Sequence, residues 1–262
     1  MTAGIGRVIT AAAFAALAGT LAACAGAPGG TGYGNRDINS VDRSGRKVRL
    51  SPRAAVSVAF KSWQRKNHGN AISLATYAID SHRLTPRGMS LAHFVRGLAY
   101  HSTKRYDAAE IDYTASISAD ANNHLAYHSR AILRSIRNDH SGAADDLSAS
   151  IRIRPTYTSH YIRGLVYLRL RRIGAAYRDA TTVLGMRPDR YHGYYLRGLT
   201  YHLRGKHRQA ASDYRRALEI NPRHEGAQRA LRIVNRARPG VPALPRRRPD
   251  VRMLPISATT AR

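Results

Sequence analysis

The sequence predicts an all-α chain, a solenoid of tandem helix–turn–helix units stacked side by side and closed by a C-terminal capping helix. Three observations point there. A pattern recurs every 33 or 34 residues through the middle of the chain, with frames starting at Ser90, His124, Tyr157 and Tyr191. Small residues fall at fixed places in each frame, at Gly97/Ala131/Gly164/Gly198 and again at Ala109/Ala143/Ala176/Ala210. Aromatic residues recur between them. Small positions let two helices approach closely, aromatics fill the gap to the next pair, and stacking supplies the core that no single repeat can build.

The last frame shows the pattern most fully, with Tyr194, Gly198, Tyr201, Gly205, Ala210, Tyr214, Ala217 and Pro222. The frame at Tyr157 supplies His160, Gly164, Tyr167, Ala176, Ala180, Val183 and Pro188, and the frame at Ser90 supplies His93, Gly97, Tyr100, Ala109, Tyr113 and Ser116. The frame at His124 is looser, with Tyr127, Ala131, Ala143, Leu147 and Pro155. Period and pattern together resemble the tetratricopeptide repeat family across residues 90–223, divided as 90–123, 124–156, 157–190 and 191–223. That resemblance implies a right-handed superhelix of interchangeable units. A degenerate first repeat is expected over 52–89, where Ala71, Ala75 and Ala78 sit at the small positions of a second helix. Residues 224–238 are expected to cap the array, with Ala227, Leu231 and Val234 spaced along one helical face.

The flanks read differently. Residues 1–23 look like an export signal, with Arg7 ahead of an apolar run from Val8 to Ala23 that is shorter than a bilayer-spanning helix. The run ends in Leu21-Ala22-Ala23-Cys24, which resembles the lipobox of bacterial lipoproteins. The resemblance implies cleavage before Cys24, its lipidation, and a membrane anchor in the bacterial envelope. Ala25 in the next position implies the outer membrane, with the body facing the periplasm. Cys24 is the single cysteine, so no internal disulfide can form. Residues 24–51 are rich in Gly and polar side chains and read as a flexible tether. Residues 239–262 carry five prolines and the run Arg246-Arg247-Arg248, which predicts a disordered, basic tail.

All four clear repeats carry Arg at the seventh position and Asp sixteen residues later: Arg96/Asp112, Arg130/Asp146, Arg163/Asp179 and Arg197/Asp213. One lies on the first helix and one on the second, so an antiparallel hairpin brings them to one seam. These four pairs are expected to be structural ion pairs.

In the tetratricopeptide family the first helices line a concave partner groove. The matching positions are Phe94, Leu98, His101, His128, Ile132, Tyr161, Leu165, Arg169, Tyr195, Leu199 and His202. They form an apolar and aromatic strip with histidine, suited to an extended or helical peptide. Leu98, Ile132, Leu165 and Leu199 fit equally well as packing between adjacent first helices. The ninth position of the repeats is Leu, Ile, Leu and Leu, so the Asn that a carboxylate-clamp co-chaperone carries there is missing.

No cofactor or metal site is expected. His124/His128 and His202/His207 have no neighbouring Cys or carboxylate to complete a ligand set, and no nucleophile elbow, phosphate loop or dinucleotide fingerprint occurs. The chain reads as a non-catalytic scaffold for a protein partner. Its net charge of +27, from 43 basic against 16 acidic residues, keeps a second class open: a surface protein that binds an anionic lipid, glycan or nucleic acid through exposed Arg and the tail. Of these anions, nucleic acid is the least expected.

Overall fold

The computed structural model describes residues 39–41 and 47–236. Two three-residue strands, β1 (Asn39–Val41) and β2 (Lys47–Arg49), pair antiparallel with Ser40 opposite Val48. The segment read as a flexible tether therefore contains a hairpin. Three residues per strand are too few for an alternating pattern to show in the sequence. Tyr77 then donates its hydroxyl hydrogen bond to the Leu50 carbonyl at 2.9 Å, fixing the chain where the first helix begins. Cys24, the export signal and residues 239–262 lie outside the described residues.

Eleven helices follow among the described residues: α1 (Pro52–Gln64), α2 (His68–Asp80), α3 (Pro86–Ser102), α4 (Tyr106–Ala119), α5 (His124–Ile136), α6 (His140–Ile153), α7 (Tyr157–Arg169), α8 (Ile173–Met186), α9 (Tyr191–Leu203), α10 (His207–Ile220) and α11 (Glu225–Arg236). They belong to two compact units that meet within α5, one ending at Leu133 and the other starting at Arg134. In the first unit α1 packs on α2, α3 on α4, and α2 and α1 on α3. In the second, α7 packs on α8 and α9 on α10, with α8 against α9 and α10 against α11.

Local chemistry sets many of the helix starts. Ser51 and Thr85 cap α1 and α3 through their hydroxyls, each followed by a proline in the first turn, where its missing N–H costs nothing. Asn67, Asp139 and Thr156 cap α2, α6 and α7 by accepting a first-turn N–H on an amide, a carboxylate and a hydroxyl oxygen respectively. Every first-to-second helix turn contains one left-handed residue: Lys66, Lys104, Asn138, Arg171 and Gly205, with φ of 63, 63, 66, 59 and 72°. The following N–H returns to a carbonyl five residues back, as in Arg172 to Tyr167 at 2.8 Å and Lys206 to Tyr201 at 2.9 Å. Gly205 and Asn138 tolerate that conformation. A lysine or arginine there costs about 1 kcal/mol.

The small positions work by close approach. A Cβ on Gly97 would lie 2.8 Å from the Tyr113 ring, and one on Gly198 would lie 2.6 Å from the Tyr214 ring, both within a single repeat. The repeat at 157–190 has Ala180 where those repeats have tyrosine, and Gly164 receives Leu196 of the next repeat instead. At the C-terminal end α11 buries Ala227, Ala230 and Val234 against α10 and α9, while Leu231 stays half-buried. The inward stripe thus takes Ala230 in place of Leu231, one residue from the expected Ala227/Leu231/Val234.

Candidate partner-binding surface

The seam between paired helices is ionic. Arg96 holds Asp112 with two parallel hydrogen bonds, Nε to Oδ2 and Nη2 to Oδ1, both 2.9 Å. Arg163 grips Asp179 in the same fashion at 2.9 and 2.7 Å, and Arg197 grips Asp213 at 2.8 Å on both arms. Asp146 accepts from Arg134 at 3.1 Å, and Arg130 donates to Thr114 at 3.1 Å while lying over the Tyr127 ring. Bidentate Arg–carboxylate geometry is the strongest form such a contact takes. Burial opposes the Arg96 charge, yet the bonds and charge of Asp112 outweigh it and hold the guanidinium above its ordinary range. Arg163 and Arg197 are raised foremost by their hydrogen bonds to Asp179 and Asp213.

Two histidines join this seam, and the sequence reading had placed them only as aromatic fillers. His93 Nδ1 lies 2.9 Å from Asp112 Oδ1, and His160 Nδ1 lies 2.8 Å from Asp179 Oδ1. Burial would raise the Asp179 carboxyl, but hydrogen bonds from His160 and Arg163 and their charges leave it below the usual range. The signal was present: the fourth and seventh positions lie one helical turn apart, so both can reach the same aspartate. The other two frames carry Tyr127 and Tyr194 there, and each puts its ring under its own arginine, at 5.8 and 5.9 Å. The arginines also reach backward. Nη1 of Arg96 donates to Thr76 and that of Arg163 to Ser148, both at 3.1 Å, tying each repeat to the second helix before it.

The expected groove is largely core. Phe94 is 0 % exposed, Leu98 1 % and Ile132 2 %, and His128, Tyr161, Leu165, Tyr195 and Leu199 are also buried. Phe94 packs on Tyr113, Tyr161 meets His192 edge-on at 4.8 Å, and Tyr195 meets His224 at 4.5 Å. In the second unit Tyr161, Leu165, Tyr195 and Leu199 share one core with Leu196, Tyr214 and the cap residues Ala227, Ala230 and Val234, and in the first unit Phe94 is closed over by Tyr113 of its own repeat. For these eight residues the groove assignment is corrected to packing. His101, Arg169 and His202 keep partial exposure, all at the C-terminal ends of first helices beside the turns. Burial pushes the His101 pKa down to about 4, and its Nδ1 lies 3.3 Å from the Tyr113 hydroxyl. His202 is lowered by burial and then by the charge of His207, whose ring sits 5.7 Å away.

Comparison with known proteins places this geometry. Residues 91–123 and 192–224 each match the model of the Tetratricopeptide repeat family. The crystal structure of YrrB, described as a TPR protein with an unusual peptide-binding site, aligns with a TM-score of 0.59 at 16% identity, covering 68% of this chain and 91% of that one. The fold is a tetratricopeptide solenoid. A tetratricopeptide repeat protein from Parabacteroides merdae aligns with a TM-score of 0.62 at 16% identity, over 70% of this chain and 72% of its own. Serine/threonine-protein phosphatase T of Trypanosoma brucei brucei is 34% identical over 86 residues, or 33% of this chain. The match spans only 18% of the phosphatase's length. The likeness is therefore to a short stretch of that enzyme.

Proposed function

We propose that this chain is a non-catalytic scaffold that holds a protein partner on its tetratricopeptide arrays and is anchored by lipid on Cys24 in the bacterial envelope, at the outer membrane facing the periplasm. Tetratricopeptide repeats bind proteins and typically lack chemistry of their own, and that supports the partner class. One observation carries the reading. The second unit spends its seam aspartates Asp179 and Asp213 internally, on Arg163 and Arg197, and leaves Arg169 and His202 half-exposed at the C-terminal ends of its neighbouring first helices α7 and α9. Interior ion pairs of this kind fix geometry more than they add stability. A fixed geometry with a recurring outward position is what a docking face requires.

A photo-crosslinking residue placed at His202 or Arg169 in the full chain, in the cells that make it, tests the scaffold. A discrete protein adduct is expected there and none from Ile111, which is 70 % exposed on α4. Adducts from Ile111 alone would overturn the assignment. The anchor has its own test: Cys24→Ser should move the chain from the membrane to the soluble fraction. The polyanion alternative keeps support from the +27 charge. It predicts binding that falls steeply between low and physiological salt, unlike an apolar contact.

A further inference from the structure

The exposed charge of the second unit is distributed unequally between its two edges. Helices alternate in direction, so the turns joining α7 to α8 and α9 to α10 lie on one edge, and the connections from α6 to α7, α8 to α9 and α10 to α11 lie on the other. The first edge carries Arg171, Arg172, Arg204, Lys206 and Arg208, all exposed. Among the described residues, none of these five is in an ion pair and no acidic residue stands at either turn, whereas the opposite edge, where Arg152, Arg154 and Arg223 are also unpaired, carries Asp189 shared by Arg187 and Arg190 at 2.7 and 3.4 Å, and Glu219 and Glu225 beside Arg216 and Arg229. The two turns are neighbours in space. The Arg204 guanidinium lies over the ring of Tyr177, on α8, at 5.0 Å, and α7 packs against α9.

Two further features add positive potential to this edge. Helices α8 and α10 start here with Arg172 and Lys206 in the cap position and no side-chain hydrogen bond to their first-turn N–H groups. A cation sits where the helix dipole already favours an anion, opposite to the usual Ser, Thr, Asp or Asn. Arg171 also holds the left-handed turn position that Gly205 occupies in the next repeat. Over the whole chain, 43 basic residues face 16 acidic ones, so the sequence has no acidic segment of its own to cover them.

We propose that this edge docks an extended acidic segment of a partner protein, whose carboxylates meet Arg171 and Arg172 at one turn and Arg204, Lys206 and Arg208 at the next. The pitch suits a polypeptide. Neighbouring first helices pack about 10 Å apart, which is about three residues of extended chain. Arginine forks match carboxylates in two-point geometry, as the interior pairs of this same chain illustrate. A single-stranded nucleic acid would need rings free to stack on its bases, and the tyrosines near these turns are engaged: Tyr177 lies beneath Arg204 and against Tyr201, and Tyr167 lies beneath Arg163. A membrane surface favours apolar side chains that insert, and at these turns Leu170, Ile173 and Leu203 are half-buried, while the exposed Met186 lies at the far end of α8. The inference deepens the scaffold reading by naming the partner's chemistry, and it depends on that reading.

Fluorescence anisotropy of the full chain with a labelled twelve-residue poly-glutamate peptide tests it. The R171Q/R172Q/R204Q/K206Q variant should bind about tenfold more weakly than the native chain at low salt. The charge-matched R152Q/R154Q/R190Q/R223Q variant on the other edge should lose less than threefold. All eight side chains lie at or near the surface, and helical content by circular dichroism checks that both variants fold. Equal losses in the two variants, or no binding of the peptide by the native chain, would overturn the proposal. So would tighter binding of a twelve-nucleotide single strand or of phosphatidylglycerol vesicles through the same four residues. Crosslinked protein at His202 with peptide binding insensitive to the four substitutions would remove this edge and leave the scaffold standing.

Discussion

Repeats 157–190 and 191–223 share one seam and complete it differently. In the first, Asp179 is held by both Arg163 and His160, and Gly164 opens toward Leu196 of its successor. In the second, Asp213 is held by Arg197, whose guanidinium lies over Tyr194, the residue standing where the first repeat has His160, and Gly198 closes on its own Tyr214; both arginines also lie over a second tyrosine, Tyr167 and Tyr201. One repeat completes its packing and hydrogen bonding through a histidine and a neighbour. The other does so inside itself, with rings. A repeat motif fixes the places where contacts must be made, and the side chains at variable positions decide which partner makes them.

Removing the shared carboxylate should break the comparison most strongly. Asp179→Ala strands Arg163 and His160 and should cost about 3 kcal/mol in urea denaturation; Asp213→Ala, stranding one cation that is 29% exposed, should cost about 2 kcal/mol. A double-mutant cycle on Arg163 and Asp179 should show coupling. Its absence would mean the pair does not hold the seam.

Acid should act next, at the two ends of the second repeat, where His192 faces the first repeat and His224 faces the cap. His192 stacks on Tyr191 at 4.0 Å and meets Tyr161, while His224 accepts the Ala227 N–H on Nδ1 at 2.9 Å, so its neutral form caps α11. Burial, then neighbouring charge, lowers both to about 4. Between pH 6.5 and 4 the unfolded chain takes up protons that the folded chain refuses. Stability is therefore complete above 6.5 and declines toward 4, by about 2 kcal/mol per histidine. His192→Phe should flatten that decline in a pH series of thermal melts.

Filling the small positions separates the two repeats more gently. Gly198→Ala drives a methyl into the Tyr214 ring and should cost about 2 kcal/mol, whereas Gly164→Ala meets the end of the Leu196 side chain, which can turn, and should cost about 1 kcal/mol. The smallest effect is expected from His160→Phe, about 1 kcal/mol, with no counterpart on exchanging Tyr194 for Phe, which keeps the ring beneath Arg197.

The helix pairs were legible because their period, small positions and Arg–Asp spacing are local repeats of one pattern. The roles of His93 and His160 were less so, since a ring at the fourth position reads equally as packing or as a hydrogen-bond partner. The groove was misjudged for a physical reason. Tyr161 and Tyr195 look like display residues in a single repeat, and only the approach of His192 and His224 from neighbouring elements turns them into core. The short hairpin left no pattern long enough to detect.

The notch at Gly164 gives the array a direction of reading. It is filled by Leu196, the sixth residue of the following repeat, where the other three repeats have Val95, Ser129 and Ile162. A shuffled gene that set residues 124–156 after 157–190 would bring a serine hydroxyl to that notch, too short to fill it and with an apolar wall to face. Duplication can therefore lengthen this chain only at some of its joints, and permutation of its units is a lesion, not a neutral change.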